Sequence, residues 1–511
     1  MDETALPFRA IADLVRAHAQ ARPEQAALRE GERSLSYGAL DAQMDRVAAA
    51  LQRDGARAGH DAVAICAAAS IEYAAVFLGA LRAGVAVAPL APGSTPEQLA
   101  AMVADAGATH LFVDEGTAGA FADDATAARR IALDAAPAAG RALDAWLAPA
   151  GALPETVSID PQSPFNIIYS SGTTGTPKGI VQSHAMRWAH VQRADRFGYG
   201  PATVTLLATP LYSNTTLVVF FPTLAAGGCV VLMAKFDAAG YLRLAERHRV
   251  THTMLVPVQY QRLMALPTFD AHDLSSFEFK FCTSAPFGAA LKAEVVQRWP
   301  GGLIEFYGMT EGGGTCILAA HLHPDKLHTV GQPAEGHDIR LIDDAGREVA
   351  PGEAGEVVGR SGAMMSGYRR QPALSAAAEW HDAAGQRFIR TGDIGRFDDD
   401  GFLTLIDRKK DMIISGGFNI YPSDLEAVLR GHPGVADVSV IGVASERWGE
   451  TPVAFVVPAA GAAVTADELL AWANERVGKT QRLNALRFID ALPRSAIGKV
   501  LKRELRDAWG G

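Results

Sequence analysis

The sequence predicts an α/β protein. It is read as a large N-terminal domain of layered sheets with helices, a β-rich subdomain closing that body, and a small α+β C-terminal domain. Three observations carry this. Residues Asp61 to Leu90 read as strand (Ala62 to Cys66), helix (Ile71 to Arg82), glycine, then strand (Val85 to Pro89), a βαβ unit. Apolar runs recur at Thr203 to Ala208, Val230 to Met233 and Thr253 to Val256 with helical stretches between them, the pattern of a sheet covered on both faces. From Asp338 the texture changes to short alternating runs broken by Asp343-Asp344-Ala345-Gly346 and Asp399-Asp400-Gly401, which indicates hairpins.

After Ile406 comes the charged cluster Asp407-Arg408-Lys409-Lys410-Asp411, and a domain boundary is placed there, giving residues 1–406 and 407–511. Within the small domain, Ser423 and Glu426 read as a capping box. Leu425, Val428 and Leu429 form an apolar stripe, and Gly431 suits the stop of that helix. The Ala-rich region from Leu99 to Leu153 holds no cluster that carries chemistry.

The chain has 511 residues, 49% of them hydrophobic and 20% charged, enough apolar material for a sizeable core. Its 47 basic and 57 acidic residues leave a net charge of -10. With no Lys/Arg-rich block, neither nucleic acid nor an anionic membrane is implied as a partner. Cys66, Cys229, Cys282 and Cys316 are scattered, without zinc-site spacing, and read as buried thiols. No signal-peptide pattern opens the chain and no retention address closes it, so the expected location is cytoplasmic. The uncharged stretch between Arg196 and Lys235 is long enough for a membrane span, but Pro201, Pro210, Pro222 and Gly227-Gly228 interrupt it. An internal helix, a glycine turn and a buried strand Cys229 to Met233 explain it better, and no integral membrane association is expected.

The strongest chemical signal follows the apolar run Ile167-Ile168-Tyr169. From Ser170 to Gly179 the chain reads Ser-Ser-Gly-Thr-Thr-Gly-Thr-Pro-Lys-Gly, five hydroxyls, three glycines and one lysine in ten positions. Glycines allow close backbone approach, hydroxyls and amides donate to phosphate oxygens, and Lys178 adds positive charge. Because Gly179 rather than Ser or Thr follows Lys178, this is not a Walker A loop. No G-x-S-x-G elbow or H-E-x-x-H motif supports a hydrolase.

Three further segments accompany this loop: Phe306-Tyr307-Gly308-Met309-Thr310-Glu311, Arg390-Thr391-Gly392-Asp393 and Pro493-Arg494-Ser495-Ala496-Ile497-Gly498-Lys499. With all four, the chain resembles the adenylate-forming (AMP-binding) superfamily over nearly its whole length. The stretch Asp411 to Pro422 looks most like bacterial acyl- and aryl-CoA ligases. The resemblance implies an acid–thiol ligase that uses ATP, Mg²⁺ and CoA. A carboxylic acid and ATP give acyl-AMP and pyrophosphate, then the CoA thiol gives acyl-CoA and AMP. An enzyme that loads a carrier-protein thiol would use the same motifs.

The resemblance also assigns roles. Ser170, Ser171, Gly172, Thr173, Thr174, Gly175 and Lys178 would clamp the phosphates, Glu311 would bind Mg²⁺, and Thr310 would donate to the α-phosphate. Tyr307 and Gly308, with Ser284, Ala285 and Pro286, would hold adenine, while Asp393 would accept from the ribose hydroxyls beside Arg408. Lys499 would stabilise charge as the carboxylate attacks the α-phosphorus. A mobile C-terminal domain would turn about Lys410 and bring Gly416 and Gly417 to the thiol tunnel, where side chains would obstruct pantetheine.

Two departures bear on the acid. Many relatives carry histidine where this chain has Ser213, in Pro210-Leu211-Tyr212-Ser213-Asn214, so Tyr212 or Asn214 replaces it or the pocket admits a different acid. No Asp lies between Arg196 and Asp237, which disfavours an amino-acid substrate. Gly312-Gly313-Gly314 either opens a pocket floor, with Gly308 and Gly313 lining it, or forms a flexible turn. Aryl acids of benzoate or hydroxycinnamate type and medium- or long-chain fatty acids both stay open, with the small domain favouring aryl. The expected state is monomer or homodimer.

Overall fold

The computed structural model describes residues 7–121, 126–134, 136, 139–170, 178–409, 411–415, 418–445, 447–478, 481–495 and 498–510. The chain forms two compact units. The first is built from Met1–Leu327, Pro333–Asp338 and Gly359–Ile389, and the second from His328–Gln332, Ile339–Val358 and Arg390–Gly511.

Two sheets organise the first unit. One runs, strand beside strand, through Cys316–Ala319, Gly302–Tyr307, Phe279–Cys282, His252–Leu255, Val204–Leu207, Cys229–Leu232, Ala26–Glu30 and Arg33–Ser36. From Gly302–Tyr307 to Ala26–Glu30 every pairing is parallel. All those strands therefore end at one edge, where the loops after them gather and where ligands of open α/β sheets bind. The three apolar runs picked out in the sequence are strands of this sheet, each entirely or almost entirely buried.

The second sheet contains the βαβ unit, Ala62–Cys66, Ile71–Arg82 and Ala86–Pro89, with the two strands parallel. Ser70 caps its helix by accepting from Tyr73 N at 3.1 Å. That helix lies against Tyr37–Arg53, and Gly79 permits the approach, since a Cβ there would sit 2.5 Å from Val47 Cβ. Ala108–Val113 and Arg129–Ala132, from the Ala-rich region, extend the same sheet. Toward its other end, Pro164–Ser170 and Lys178–Ser183 form an antiparallel hairpin with Ser170 opposite Lys178, and Gly367–Tyr368 pairs with the latter strand.

The uncharged stretch forms the helix Asn214–Ala225, which contains Pro222, and then the strand Cys229–Leu232. Among the described residues no helix is long and apolar enough to cross a membrane. All four cysteines are free and buried.

In the second unit, Asp393 to Phe397, the end of the strand Arg387–Phe397, pairs with Leu403–Arg408 as an antiparallel hairpin turned at Asp398–Phe402. The turn at Asp343–Arg347 likewise reverses the chain after the strand Asp338–Ile342, and both turns match the chemistry of their sequences. Farther on, Val435–Ser445 and Gly449–Pro458 make a long antiparallel pair, to which Ile413–Ser415 and the parallel strand Ala485–Phe488 add. Leu425 and Leu429 of the helix Pro422–Arg430 pack on this sheet with Val438 and Val440.

The expected capping box does not form. The helix begins at Pro422, whose fixed φ suits a first helical position, so Ser423 already lies inside it. Ser423 Oγ instead donates to the Ile406 carbonyl, and its amide donates to Asp407 at 2.9 Å. Glu426 accepts from Val440 N at 2.9 Å and pairs with Lys502 at 3.2 Å. Gly431 has φ -70, so the stop does not use a left-handed glycine. Long-range partners took both polar groups that a local cap would have used.

Candidate active site

Three loops leave the carboxyl edge of the parallel sheet. One follows Val204–Leu207 and enters the helix Asn214–Ala225, one follows Phe279–Cys282 and carries Ser284, and one follows Gly302–Tyr307 and carries Thr310 and Glu311. The sequence singled out residues in all three, and hydrogen bonds tie the loops together. Thr215 Oγ1 meets Ser284 Oγ at 2.5 Å. Gln182 Nε2 donates to the Thr310 carbonyl at 2.7 Å and to Asn214 Oδ1 at 3.3 Å. Ser284 holds φ +82, a left-handed conformation costly for a residue with a side chain and concentrated at functional sites.

Behind these loops lies a buried polar cluster that sequence reasoning missed. Arg187 is 1% exposed, between the rings of Phe165 and Phe221, each 5.8 Å from its guanidinium carbon. Its Nε donates to Asn166 Oδ1 at 3.0 Å, and its Nη2 donates to Gln182 Oε1 and, at 2.8 Å, to Asn214 Oδ1. Its Nη1 finds no partner among the described residues. Burial pulls the guanidinium down to about 9, still protonated at neutral pH. No periodicity marks an arginine of this kind, because what distinguishes it is the set of amides around it.

Glu311 is held at both ends. Its carbonyl accepts from Met365 N at 2.8 Å, and its Oε1 accepts from Tyr368 Oη at 2.9 Å. Lys178 Nζ lies 5.7 Å from the centre of the same tyrosine ring. Tyr368 thus lies between Lys178, of the hydroxyl- and glycine-rich sequence, and the predicted metal ligand. Burial, then the Glu311 charge, pushes its phenol well above the ordinary range, so it stays protonated and donates. This residue, too, was not picked out from the sequence. One hard carboxylate oxygen donor suits Mg²⁺, which takes few protein ligands and completes its shell with phosphate oxygens and water. Among the described residues there is no group of three or more His, Cys, Asp or Glu placed to hold a metal ion.

The glycine run after Glu311 has a cause the sequence did not suggest. Gly312 has φ +76, and a Cβ there would lie inside the van der Waals shell of the Ala363 carbonyl oxygen. Gly313 has φ +92, its amide donates to Ala363 O at 3.0 Å, and a Cβ would sit 2.8 Å from Gly359 O. Close packing of two backbones requires glycine at both positions. Gly308 is different: a Cβ there meets only ordinary contacts, the nearest at 3.5 Å to Thr315. Gly312→Ala is expected to destabilise the protein by about 3 kcal/mol, from overpacking and the left-handed torsion together. Chemical denaturation measures it, and a loss below about 0.5 kcal/mol would show the contact to be soft.

Other predicted residues fall as follows. Tyr307 ends its strand, 8% exposed and opposite Cys316, Tyr212 is half-buried, and Ser213 is buried at the residue before the helix Asn214–Ala225. Ala285 is half-buried and Pro286 exposed. In the second unit Asp393 and Arg408 are cross-strand partners, with Arg408 Nε 2.9 Å from Asp393 Oδ1. Lys499 is exposed beside a tight turn, its amide donating to Ser495 Oγ at 3.2 Å and its carbonyl accepting from Ser495 N at 2.8 Å. Ser171, Gly172, Thr173, Thr174, Gly175, Lys410, Gly416 and Gly417 lie outside the described residues, as do Ala496 and Ile497.

Residues 15–369 match the AMP-binding enzyme family, and residues 424–499 match the AMP-binding enzyme C-terminal domain. The chain belongs to the AMP-binding enzyme family. This AMP-binding enzyme is 35% identical to an indoleacetate–CoA ligase of Aromatoleum aromaticum, over 96% of each chain. It is 34% identical to a feruloyl-CoA synthase of an Amycolatopsis species, over 96% of this chain and 97% of the relative. A fatty acid–[acyl-carrier-protein] ligase of Streptomyces coeruleorubidus is 31% identical, with 97% and 95% covered. Among solved structures, the amide bond synthetase McbA of Marinactinospora thermotolerans superposes with a TM-score of 0.86 at 28% identity, covering 98% of this chain and 99% of that one. The family assignment makes the protein an AMP-forming acid ligase that works through an acyl-adenylate, with ATP as its nucleotide substrate.

Proposed function

We propose that this ligase activates an aryl carboxylic acid, of benzoate, arylacetate or hydroxycinnamate type, and transfers the acyl group to CoA. The observation that carries the reading is the convergence of the Asn214 turn, Thr310 and Ser284, linked by hydrogen bonds at one sheet edge. An acid, an α-phosphate and an adenine need contacts that close together when one reacts with the other. The aryl class rests on the indoleacetate and feruloyl names of similar chains.

In this reading Lys178 and residues 170–175 hold the β- and γ-phosphates that leave as pyrophosphate, and Thr310 donates to the α-phosphate. Tyr307, Gly308 and Ser284 to Pro286 bound the adenine, while Asp393 and Arg408 take the ribose. Tyr212, Ser213, Asn214 and Gly308 border the acid. Gly313, whose place is dictated by packing, acts through the loop it anchors. Mg²⁺ on Glu311 would neutralise phosphate charge. Residues 407–511 then turn about Lys410, withdrawing Lys499 and presenting Gly416 and Gly417 to the CoA thiol. Separate conformations for the two steps limit the exposure of a reactive mixed anhydride to water. A cytoplasmic monomer or homodimer fits this chemistry.

Pyrophosphate release from ATP and Mg²⁺ across aryl, short, medium and long-chain acids, each with and without CoA, tests the proposal. Aryl-dependent release that CoA accelerates, with aryl-CoA appearing, is the expected result. Release only with aliphatic acids would overturn the substrate class. Release without any acyl-CoA would favour a carrier-protein thiol, an acceptor named for one of the similar ligases.

A further inference from the structure

We propose that the side-chain amide of Asn214 is the hydrogen-bond donor to the carboxyl oxygen of the acid and of the adenylate formed from it. Arg187 positions it, serving the role that Ser213 leaves unfilled. This deepens the ligase reading and rests on it. Amide oxygen and nitrogen atoms are interchangeable in shape, and their assignment follows from the partners they face. Arg187 is a donor at every nitrogen, so each amide atom that faces it must be oxygen. That assigns Oδ1 of Asn166, Oε1 of Gln182 and Oδ1 of Asn214 to the guanidinium, as their contacts record.

The consequences propagate outward. Gln182, with its oxygen held by Arg187 and by Asn166 Nδ2 at 3.0 Å, must turn its nitrogen toward the Thr310 carbonyl and Asn214 Oδ1. Asn214 accepts at Oδ1 from two donors, and its Nδ2 is therefore directed away from the cluster. That nitrogen has no protein partner among the described residues and is not enclosed. It stands at the first position of a 12-residue helix, where the backbone dipole also favours negative charge. It belongs to the same network that grips Thr310. A donor locked in orientation before substrate arrives costs no reorganisation during reaction. The buried guanidinium behind it, with no carboxylate bonded to it among the described residues, adds a positive field that an incoming carboxylate experiences.

Asn214→Asp gives the decisive test because it keeps the shape and reverses the polarity. The carboxylate introduced there would pair with Arg187 and place a second acceptor where Nδ2 stood, whereas Asn214→Leu would remove both functions. Both variants are expected to lose about 100-fold in kcat/KM for the acid in pyrophosphate release, with KM for ATP within about threefold of wild type. The Asn214→Asp variant should melt at or above the wild type, because the buried cation gains an ion pair, and the Asn214→Leu variant below it. Arg187→Met should lower acid kcat/KM about tenfold or more alone, yet cost nothing further in the Asn214→Leu background, since it acts through Asn214.

An Asn214→Asp variant within about fivefold of wild type, or losses that multiply in the double variant, would overturn the proposal. A wild type that releases no pyrophosphate with any acid would overturn the ligase reading, and the donor role with it. The melting order would then still report whether Arg187 faces Oδ1, so a wrong orientation and a wrong reaction give different results.

Discussion

Lys499→Ala is expected to lower acyl-adenylate formation by about 10²–10³-fold while leaving thioesterification of supplied acyl-adenylate within about threefold. The charge that develops as a carboxylate attacks the α-phosphorus has to be met by a cation, and Lys499 is the residue that the four motifs together assign to it. The variant should fold, because the bonds that close the turn before Lys499 come from the main chain and from the Arg494 side chain. The Ser495 amide donates to the Lys499 carbonyl, Gly498 N donates to Ser495 O at 2.8 Å, and Arg494 reaches the Gly498 carbonyl at 2.7 Å. None of these bonds involves the lysine side chain. Separate assays of pyrophosphate release and of CoA consumption from synthetic acyl-adenylate make the measurement. Equal losses in both would refute the division of labour between two conformations.

Glu311→Gln is expected to lower pyrophosphate release by about 10²–10³-fold at ordinary Mg²⁺, with part of the loss recovered as Mg²⁺ is raised. The substitution is close to isosteric, and the structure says what survives it. Met365 N still bonds the residue's carbonyl, and Tyr368 Oη, which donates to Oε1 at 2.9 Å, finds an amide oxygen in the same place. What is lost is the negative charge that would hold the cation against the phosphates. A Glu311→Gln enzyme with wild-type dependence on Mg²⁺ would remove Glu311 from the metal. Tyr368→Phe serves as the comparison, because it keeps the charge and removes only the bond that aims it.

Much of this protein could be read along the chain. Strands such as Ala62–Cys66 and Cys229–Leu232 announce themselves because a buried parallel strand is apolar on both faces, and the turns at Asp343 and Asp398 because their residues supply the torsions locally. The hydroxyl- and glycine-rich sequence that ends at Gly179 and the motifs around Glu311 and Lys499 stand out because each group of chemical residues is contiguous, and contiguity is what a sequence displays. Where a local solution competed with partners distant in sequence, the reading failed. Ser423 and Glu426 had the letters of a cap, but Ile406, Asp407, Val440 and Lys502 took their polar atoms once the chain had folded.

The sequence by itself determined the family and the reaction type, since these rest on motifs whose residues lie within a few positions of one another. Only the tertiary structure decided which groups aim them. Tyr368 meets Glu311 across 57 residues, Arg187 meets Asn214 across 27, and the glycines after Glu311 answer to a distant backbone segment, with Ser361 bonded to Gly313 across 48. Orientation inside a protein comes from buried donors that must find acceptors, and their desolvation penalty makes the pairing strict. The identity of each partner depends on strand register and helix packing, which no local pattern encodes.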